Sequence, residues 1–231
     1  MGTIMRGENN MPFPYFYGYK TDGVFQNWNE VNSYVNAEGK LIQPDAQPGD
    51  FRYQDINGDG SITAEGDRAN LGKCVPSWTY GINASIDWKG IDFSMVWQGV
   101  AGNKIFDATR RTDIPTMNQP KYVLNRWTGE GTTNDYPRFT VTDPNQNWSK
   151  ASDFFIKDAS YFRLKNVTLG YTLPVNWTNK IFVKKFRVYV ACENALTFTK
   201  YDGFDPEIAD YVDRGIYPQA RTVQFGANIT F

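Results

Sequence analysis

Residues 80–98, YGINASIDWKGIDFSMVWQ, decide how this chain folds. In the first half, Tyr80, Ile82, Ala84, Ile86 and Trp88 alternate with Gly81, Asn83, Ser85 and Asp87. That period of two puts apolar groups on one face of an extended segment and polar groups on the other. Lys89-Gly90 then reads as a two-residue turn, with glycine supplying the positive φ that tight hairpins need. The second half places Ile91, Phe93, Met95 and Trp97 on the apolar face and Asp92, Ser94 and Gln98 on the polar one. The stretch is a β-hairpin with two chemically distinct faces.

The same pattern recurs further along the chain. Val167, Leu169, Tyr171 and Leu173 alternate with Asn166, Thr168, Gly170 and Thr172. Phe186, Val188 and Val190 alternate with Lys185, Arg187 and Tyr189. The last segment sets Val223, Phe225, Ala227, Ile229 and Phe231 against Thr222, Gln224, Gly226, Asn228 and Thr230. A weaker candidate lies around residues 15–25, and helical periodicity is scarce. Connections between these strands alternate between short and long. The turn at 89–90 is tight and the link across 174–183 is about ten residues, whereas 100–160 and 196–219 are long stretches of a kind uncommon inside compact soluble domains. A soluble β-sandwich with one buried face shares the alternation. The short–long asymmetry favours an outer-membrane β-barrel with short periplasmic turns and long extracellular loops, and the strand lengths suit a tilted membrane strand. Five firm strands and one weak one cannot close such a barrel, whose smallest bacterial examples need about 8. Open sheet edges are not viable in hydrocarbon. The expectation is therefore an all-β chain that supplies the C-terminal strands of a larger transmembrane antiparallel β-barrel.

Composition narrows the function. Across 231 residues there are 24 basic and 25 acidic side chains, a net charge of −1, which lacks the basic surplus of a nucleic-acid binder. Histidine is absent, which removes histidine-based triads and histidine-ligated zinc from this chain. Aromatic residues make up 16% of the chain, yet the mean hydropathy is negative and no run approaches the roughly 18 apolar residues of a membrane helix. Cys74 and Cys192 allow one disulfide or two separate thiols. The opening MGTIMRGENN is neither a signal peptide nor a myristoylation site, because Arg6 stands where Ser or Thr is required. The expectation is that the natural N-terminus lies upstream.

Whole phrases carry a more specific signal. The final alternation ending on Phe231 is similar to the C-terminal signature of outer-membrane barrels. GDFRYQDINGDGSITAEGDRANLG, PSWTYGINASIDWKGIDFSMVWQGVAGNKIFD, SDFFIKDASYFRLKNVTLGYTLP and NALTFTKYDGFDPE together resemble the C-terminal part of SusC-like TonB-dependent outer-membrane transporters, over essentially the whole chain from Tyr15 to Phe231. That resemblance implies a barrel of about 22 strands with a plugged lumen. It also implies a SusD-like surface lipoprotein as partner, energy from the TonB complex, and oligosaccharide cargo, with peptides or other nutrients as alternatives. By this reading residues 1–231 are a C-terminal barrel section in the outer membrane, in contact with its lipid and with a periplasmic C-terminus; the plug and remaining strands lie outside the chain. No enzymatic role is expected. The rival is a secreted, calcium-stabilised β-rich carbohydrate-binding module with no membrane role.

Several residues suggest local chemistry. Asp55, Asn57, Asp59, Gly60, Ser61 and Thr63 match the opening positions of an EF-hand calcium loop: oxygen ligands at the first, third and fifth places, glycine at the sixth and a backbone carbonyl at the seventh. The twelfth place is Gly66 rather than a carboxylate. Asp67 at the thirteenth, or Glu65, would have to close the shell around a structural calcium; an Asx-rich turn without metal is the alternative. Trp127, Tyr136 and Trp148 fall in a long loop beside amides and carboxylates, which suits sugar stacking, contact with a partner or packing within the loop. Asp202, Asp205, Glu207, Asp210 and Asp213 raise a paired-carboxylate glycosidase reading, but are expected to be solvated charges on an external loop.

Overall fold

A computed structural model of the chain describes residues 4–110 and 118–231. In chain order the strands are β1 (Met5–Arg6), β2 (Tyr15–Tyr19), β3 (Thr21–Val24), β4 (Phe51–Tyr53), β5 (Arg68–Lys73), β6 (Trp78–Trp88), β7 (Ile91–Ala101), β8 (Lys104–Asp107), β9 (Ile156–Asp158), β10 (Tyr161–Thr172), β11 (Lys185–Thr199), β12 (Val212–Asp213) and β13 (Thr222–Thr230). Two short helices, α1 (Trp28–Ser33) and α2 (Val175–Thr178), join them. The chain divides into two compact units: residues 1–75, 104–157 and 210–215 form the first, and 76–103, 158–209 and 216–231 the second.

The second unit is a five-stranded antiparallel sheet in the order β13-β11-β10-β7-β6. Its register carries the alternation across all five strands. Ile86, Phe93, Leu169, Val190 and Phe225 stand in one row, and Ala84, Met95, Val167, Cys192 and Val223 in the next. These apolar rows face away from any core: Ile86 is 62% exposed and Phe225 83%. Rings cluster near the end where the long connections leave, with Trp97 stacked on Phe162 at 4.6 Å and Tyr80 at 5.7 Å from the same ring. Gly99 makes room for this, since a Cβ there would fall 2.5 Å from the Tyr80 ring. Trp88 and Tyr171 occupy the tight-turn end of the same face. From Tyr80 to Trp88 the strand rises about 27 Å, or about 21 Å once tilted by about 40°, close to the apolar band of a membrane barrel.

On the opposite face, Asp92 and Arg187 are paired at 2.5 Å across the intervening strand β10. Gly170 stands opposite Asp92 in the register, two residues from Thr172, which stands opposite Arg187, and a Cβ on Gly170 would come within 2.5 Å of both charged side chains. The polar face therefore carries a strand-spanning ion pair that only a missing side chain permits.

All five strands expected from the sequence are present, and β10 and β11 run furthest beyond the alternation that marked them. In β10 the register shifts between Leu164 and Asn166 against both neighbours, leaving Lys165 as a bulge. The extra residue moves the apolar set from even to odd positions, so Phe162 and Leu164 share a face with Val167, Leu169 and Tyr171. Strict period two hides this, which is why β10 reads from the sequence as starting only at Asn166. β11 has its own interruption where Asn194 takes φ 51, and it continues to Thr199.

The first unit corrects two expectations. The weak strand candidate at residues 15–25 does not join the five-stranded sheet; it becomes β2, in the order β1-β2-β5, and β3, paired with β4. The long stretch after β7 is not structureless. It contains β8 and β9, which share a sheet with β12, and short helical turns at Lys121–Asn125 and Asp153–Phe155. Many of the aromatic residues are used here. Phe16, Phe106, Phe155 and Trp148 are buried together with Cys74, Val123 and Val212, and Val24, Phe51 and Tyr53 form a second cluster.

The two faces of the five-stranded sheet should respond differently to charge. In the full-length protein, Ile86→Lys should cost about 2–4 kcal/mol, whereas Ser85→Lys on the opposite face should cost well under about 1 kcal/mol. Urea titration of the barrel in lipid vesicles, followed by heat-modifiable mobility on cold gels, measures both. Equal effects would mean that the two faces meet the same solvent.

Candidate metal centre and loop clasp

Residues 55–67 connect β4 to β5 and fold tightly upon their own backbone. The Asp55 carboxylate accepts the N–H groups of Gly58 at 2.7 Å and Gly60 at 2.8 Å. Asp59 accepts both the N–H and the hydroxyl of Ser61, at 2.9 and 2.8 Å. Gly60 has φ +82, and a Cβ there would collide with the Asn36 side chain at 2.4 Å, so the sharp turn requires glycine twice over.

The two candidate closing carboxylates are placed differently. Asp67 is fully buried and accepts N–H groups from Ile56 and Thr63, each at 2.7 Å, whereas Glu65 is exposed. Carboxylate oxygens of Asp55, Asp59 and Asp67 lie within 4.8 Å of one another. Hydrogen bonds from the Asn57 amide and the Ser61 hydroxyl and N–H lower the Asp59 carboxyl from its ordinary value, favouring its charged form. Three such carboxylates in one small volume repel one another, and their oxygen-only donor set fits a hard cation such as calcium. Asn57 presents its Nδ2 to Asp59 at 2.7 Å, so its oxygen would ligate only after the amide turns over. The same carboxylates also satisfy backbone donors as an Asx-rich turn does, so the geometry accommodates both readings.

The aromatic candidates meet a different fate. Trp148 is 2% exposed, and its indole donates to the Arg138 carbonyl at 3.1 Å. The Arg110 guanidinium lies 4.4 Å over one face, while Phe154 and Phe139 meet it edge-on at 5.7 and 5.8 Å. This corrects the expectation of Trp148 as a sugar platform, because no face of the ring is open. Trp127 is half-buried and donates to Gln26 Oε1 at 3.2 Å, and half-buried Tyr136 packs edge-on to Phe154 at 5.6 Å. Tyr136 packs within its own loop, whereas Trp127 packs against the cluster of Val24, Phe51 and Tyr53.

The acidic stretch is likewise not simply solvated. Arg163 on β10, 3% exposed, donates to Asp205 at 2.7 Å, to Glu207 at 2.9 Å and to the Thr197 hydroxyl at 2.9 Å. The Lys165 ammonium, brought to that position by the bulge, reaches Glu207 at 2.7 Å and Gln219 at 3.2 Å. The Gln219 N–H returns to Asp205 at 3.0 Å. Burial alone would raise the Asp205 carboxyl; the Arg163 guanidinium and the N–H groups of Glu207 and Gln219 outweigh it and hold the group below its ordinary value. Asp213 is 1% exposed and accepts the Gly215 N–H at 2.8 Å; Asp210 pairs with Arg214 at the surface. Arg163 thus ties both Asp205 and Glu207 into ion pairs that hold the loop.

A buried polar knot in the first unit was not foreseen. Arg138 donates to Asp50 at 2.5 and 3.0 Å, and Asn147 bridges from Asp50 at 2.8 Å to the Phe51 N–H at 2.9 Å. Gln43 joins it through the Phe51 carbonyl, the Tyr53 N–H and Asn145. The only trace in sequence is a set of polar residues about 90 positions apart, which no periodicity links. Cys74 and Cys192 are both unpaired, and burial pushes the Cys74 thiol up to about 12, so it is inert at neutral pH.

No family model matches the chain. It is 32% identical over 230 residues to TonB-dependent receptor P3 of Formosa agariphila, covering 94% of this chain and 22% of that protein. It is 25% identical over 229 residues to TonB-dependent receptor SusC of Bacteroides thetaiotaomicron, covering 99% of this chain and 21% of the relative. Among solved structures, the RagAB peptide transporter matches all of the chain over 24% of its own length, with a TM-score of 0.74 at 23% identity. The "open-open" RagAB peptide importer gives 0.72 at 22% identity. The chain thus spans between a fifth and a quarter of the proteins it matches. The class defined by sheet and similarities is the antiparallel wall of a membrane β-barrel of the TonB-dependent receptor kind. Within that class, SusC is among the proteins that the chain resembles along nearly its whole length.

Two outcomes follow for these sites. Removing Arg163 strands Asp205 and Glu207 without their partner, so Arg163→Met should cost about 3–5 kcal/mol, and Arg163→Lys should not restore the forked geometry. Faster protease cleavage within residues 200–221 of the full-length protein reports it. The depressed Asp205 value means its contribution is complete above the ordinary Asp range and lost as pH falls through the lower folded value. Loop protection should therefore persist at pH 5 and fail only in stronger acid.

Proposed function

We propose that this chain is part of an outer-membrane importer that takes up oligosaccharides in a TonB-dependent manner, beneath a SusD-like surface lipoprotein. The observation that carries the reading is the five-stranded wall with an exposed apolar face. Such a face is a liability in water and the required surface in lipid. The similarity to receptors including SusC, along nearly the whole chain, supports the import role and the energy source. Peptide is the second cargo class, favoured by the match to structures titled as peptide importers. The rival secreted binding module leaves the exposed rows of Ile86, Leu169 and Phe225 without a purpose. In our reading the end of the sheet at Lys89 is periplasmic, as is the C-terminus, and the 55–67, 127 and 205 segments are extracellular. Asp55, Asn57, Asp59, Ser61, Thr63 and Asp67 hold a structural calcium that orders their loop and takes no chemical part in transport.

Uptake of fluorescent oligosaccharide and peptide pools by intact cells, with and without the receptor gene, tests cargo and direction together. Loss of oligosaccharide uptake on deletion, and on collapse of the proton gradient, is expected; unchanged uptake of both pools defeats the proposal. Single cysteines at exposed Glu130 and Phe204 should react with an impermeant maleimide on intact cells, and one at Lys89 should not.

The calcium assignment has its own test. Asp59→Ala should abolish binding, and buried Asp67→Ala should weaken it by more than exposed Glu65→Ala does. Protease cleavage within 55–67, with and without chelator, is the readout. Cleavage that ignores the chelator in the unmutated protein would leave the metal-free Asx turn as the correct account.

A further inference from the structure

The connection between β10 and β11, at the tight-turn end of the sheet, is a small structured foot with an unusual surface. It runs from Leu173 to Lys184 as LPVNWTNKIFVK, through α2 and a short helical turn, Asn179–Ile181. Two of its residues turn inward: Thr178 is 1% exposed and Val183 7%. The Thr178 hydroxyl donates to the Val175 carbonyl at 3.2 Å, and the Thr178 carbonyl accepts the Val183 N–H at 3.1 Å. Both ends are tied to the sheet, Leu173 N–H to Phe186 at 2.8 Å and Lys184 N–H to Thr230 at 2.8 Å. The foot is thus fixed in position, and what it presents outward is apolar: Val175 is 58% exposed, Trp177 63% and Phe182 90%.

Phe182 makes the point most clearly. It caps the short turn in the left-handed region at φ 59, ψ 27, a conformation that disfavours side chains with a Cβ and is commonly given to glycine. Here the strained position carries a phenyl ring with almost no protein around it, which an aqueous setting would not reward. Charge supplies the second observation. Lys180 and Lys184 are both exposed and neither forms an ion pair among the described residues, while the sequence holds no acidic residue from 173 to 192. Continuity supplies the third. Exposed Trp88, Tyr171 and Phe231 belong to the same end of the apolar sheet face, and the Lys89 ammonium sits 4.9 Å over the Trp88 ring.

We propose that residues 174–184 are an interfacial anchor for anionic phospholipid. Val175, Trp177 and Phe182 enter the boundary between headgroups and acyl chains, and Lys180 and Lys184 pair with lipid phosphates. Aromatic rings with lysine at their margin are the chemistry of that boundary, where rings settle at headgroup depth and ammonium groups reach phosphate. The inference rests on the barrel reading above, since it takes the apolar sheet face to be in lipid.

The test uses the full-length receptor, stripped of other thiols, in vesicles of phosphatidylcholine and phosphatidylglycerol. An environment-sensitive fluorophore is attached through Phe182→Cys or, as a control for the sheet face, through Ile86→Cys. Brominated phospholipids should quench both. At position 182 brominated phosphatidylglycerol should be favoured over brominated phosphatidylcholine at equal mole fraction by about five-fold or more, and exchange of Lys180 and Lys184 for Gln should bring the ratio towards one. Quenching at 86 but not at 182 overturns the anchor and leaves the barrel standing; a blue-shifted, unquenched probe at 182 assigns the foot to another part of the protein and overturns it too. Absence of quenching at both sites sinks the barrel reading itself. Quenching at 182 without dependence on the lysines overturns the anionic-lipid assignment.

Discussion

In hydrocarbon, every backbone N–H and C=O must find its partner along the sheet, because no water is present to take its place. That constraint organises the second unit. It requires strands β6, β7, β10, β11 and β13 to run as one continuous antiparallel ladder. It leaves side chains to sort themselves by face, with Ile86, Phe93, Leu169, Val190 and Phe225 in register on one side. Departures from the ladder are few and occur where a side chain needs to be re-aimed. The bulge at Lys165 keeps Phe162 and Leu164 on the apolar face while it brings the lysine to Glu207. A single extra residue thus serves both the lipid-facing rows and the loop clasp.

Beyond the sheet, the long connections are held by buried polar contacts as much as by apolar ones. Arg163 with Asp205 and Glu207 ties residues 200–221 to β10 and β11, and Arg138 with Asp50 and Asn147 ties 43–53 to 138–147. Buried ion pairs are weak sources of net stability, but losing one partner is strongly unfavourable, so they are effective at enforcing one arrangement over others. Loops of this length need such a device, since the entropy of ordering them is large and the apolar surface within them is limited. The aromatic cluster around Trp148, Phe154 and Phe155 supplies the apolar part.

The loop at 55–67 follows a different logic. It is ordered by side-chain oxygens that accept backbone N–H groups, and those oxygens converge at Asp55, Asp59 and Asp67. Convergence of like charges is unfavourable unless something positive compensates, whether a cation or the partial charges of the N–H groups. The thirteenth-place Asp67 succeeds as a member of this cluster because it is buried beneath the loop, on the residue just before β5 begins, where the backbone rather than the loop count fixes its position.

The sequence by itself determined the strand-forming segments, their two faces, the short–long pattern of connections and the oxygen-rich loop, because each is written in nearest-neighbour periodicity or in a contiguous motif. The alternation from Tyr80 to Gln98 needs no tertiary information to be read. What it could not determine depends on residues far apart in the chain. Trp148 reads as an available ring, and only packing against Phe154, Phe139 and Arg110 closes it. Asp205 and Glu207 read as solvated charges, and only the bulged register of β10 delivers Arg163 and Lys165 to them. Residues 15–25 read as a further wall strand, yet their hydrogen bonds go to β5 and β4 instead. Periodicity states which face of a strand is apolar; which neighbour completes its ladder, and which distant charge neutralises its loops, is decided by the closed accounting of hydrogen bonds and buried charge in three dimensions.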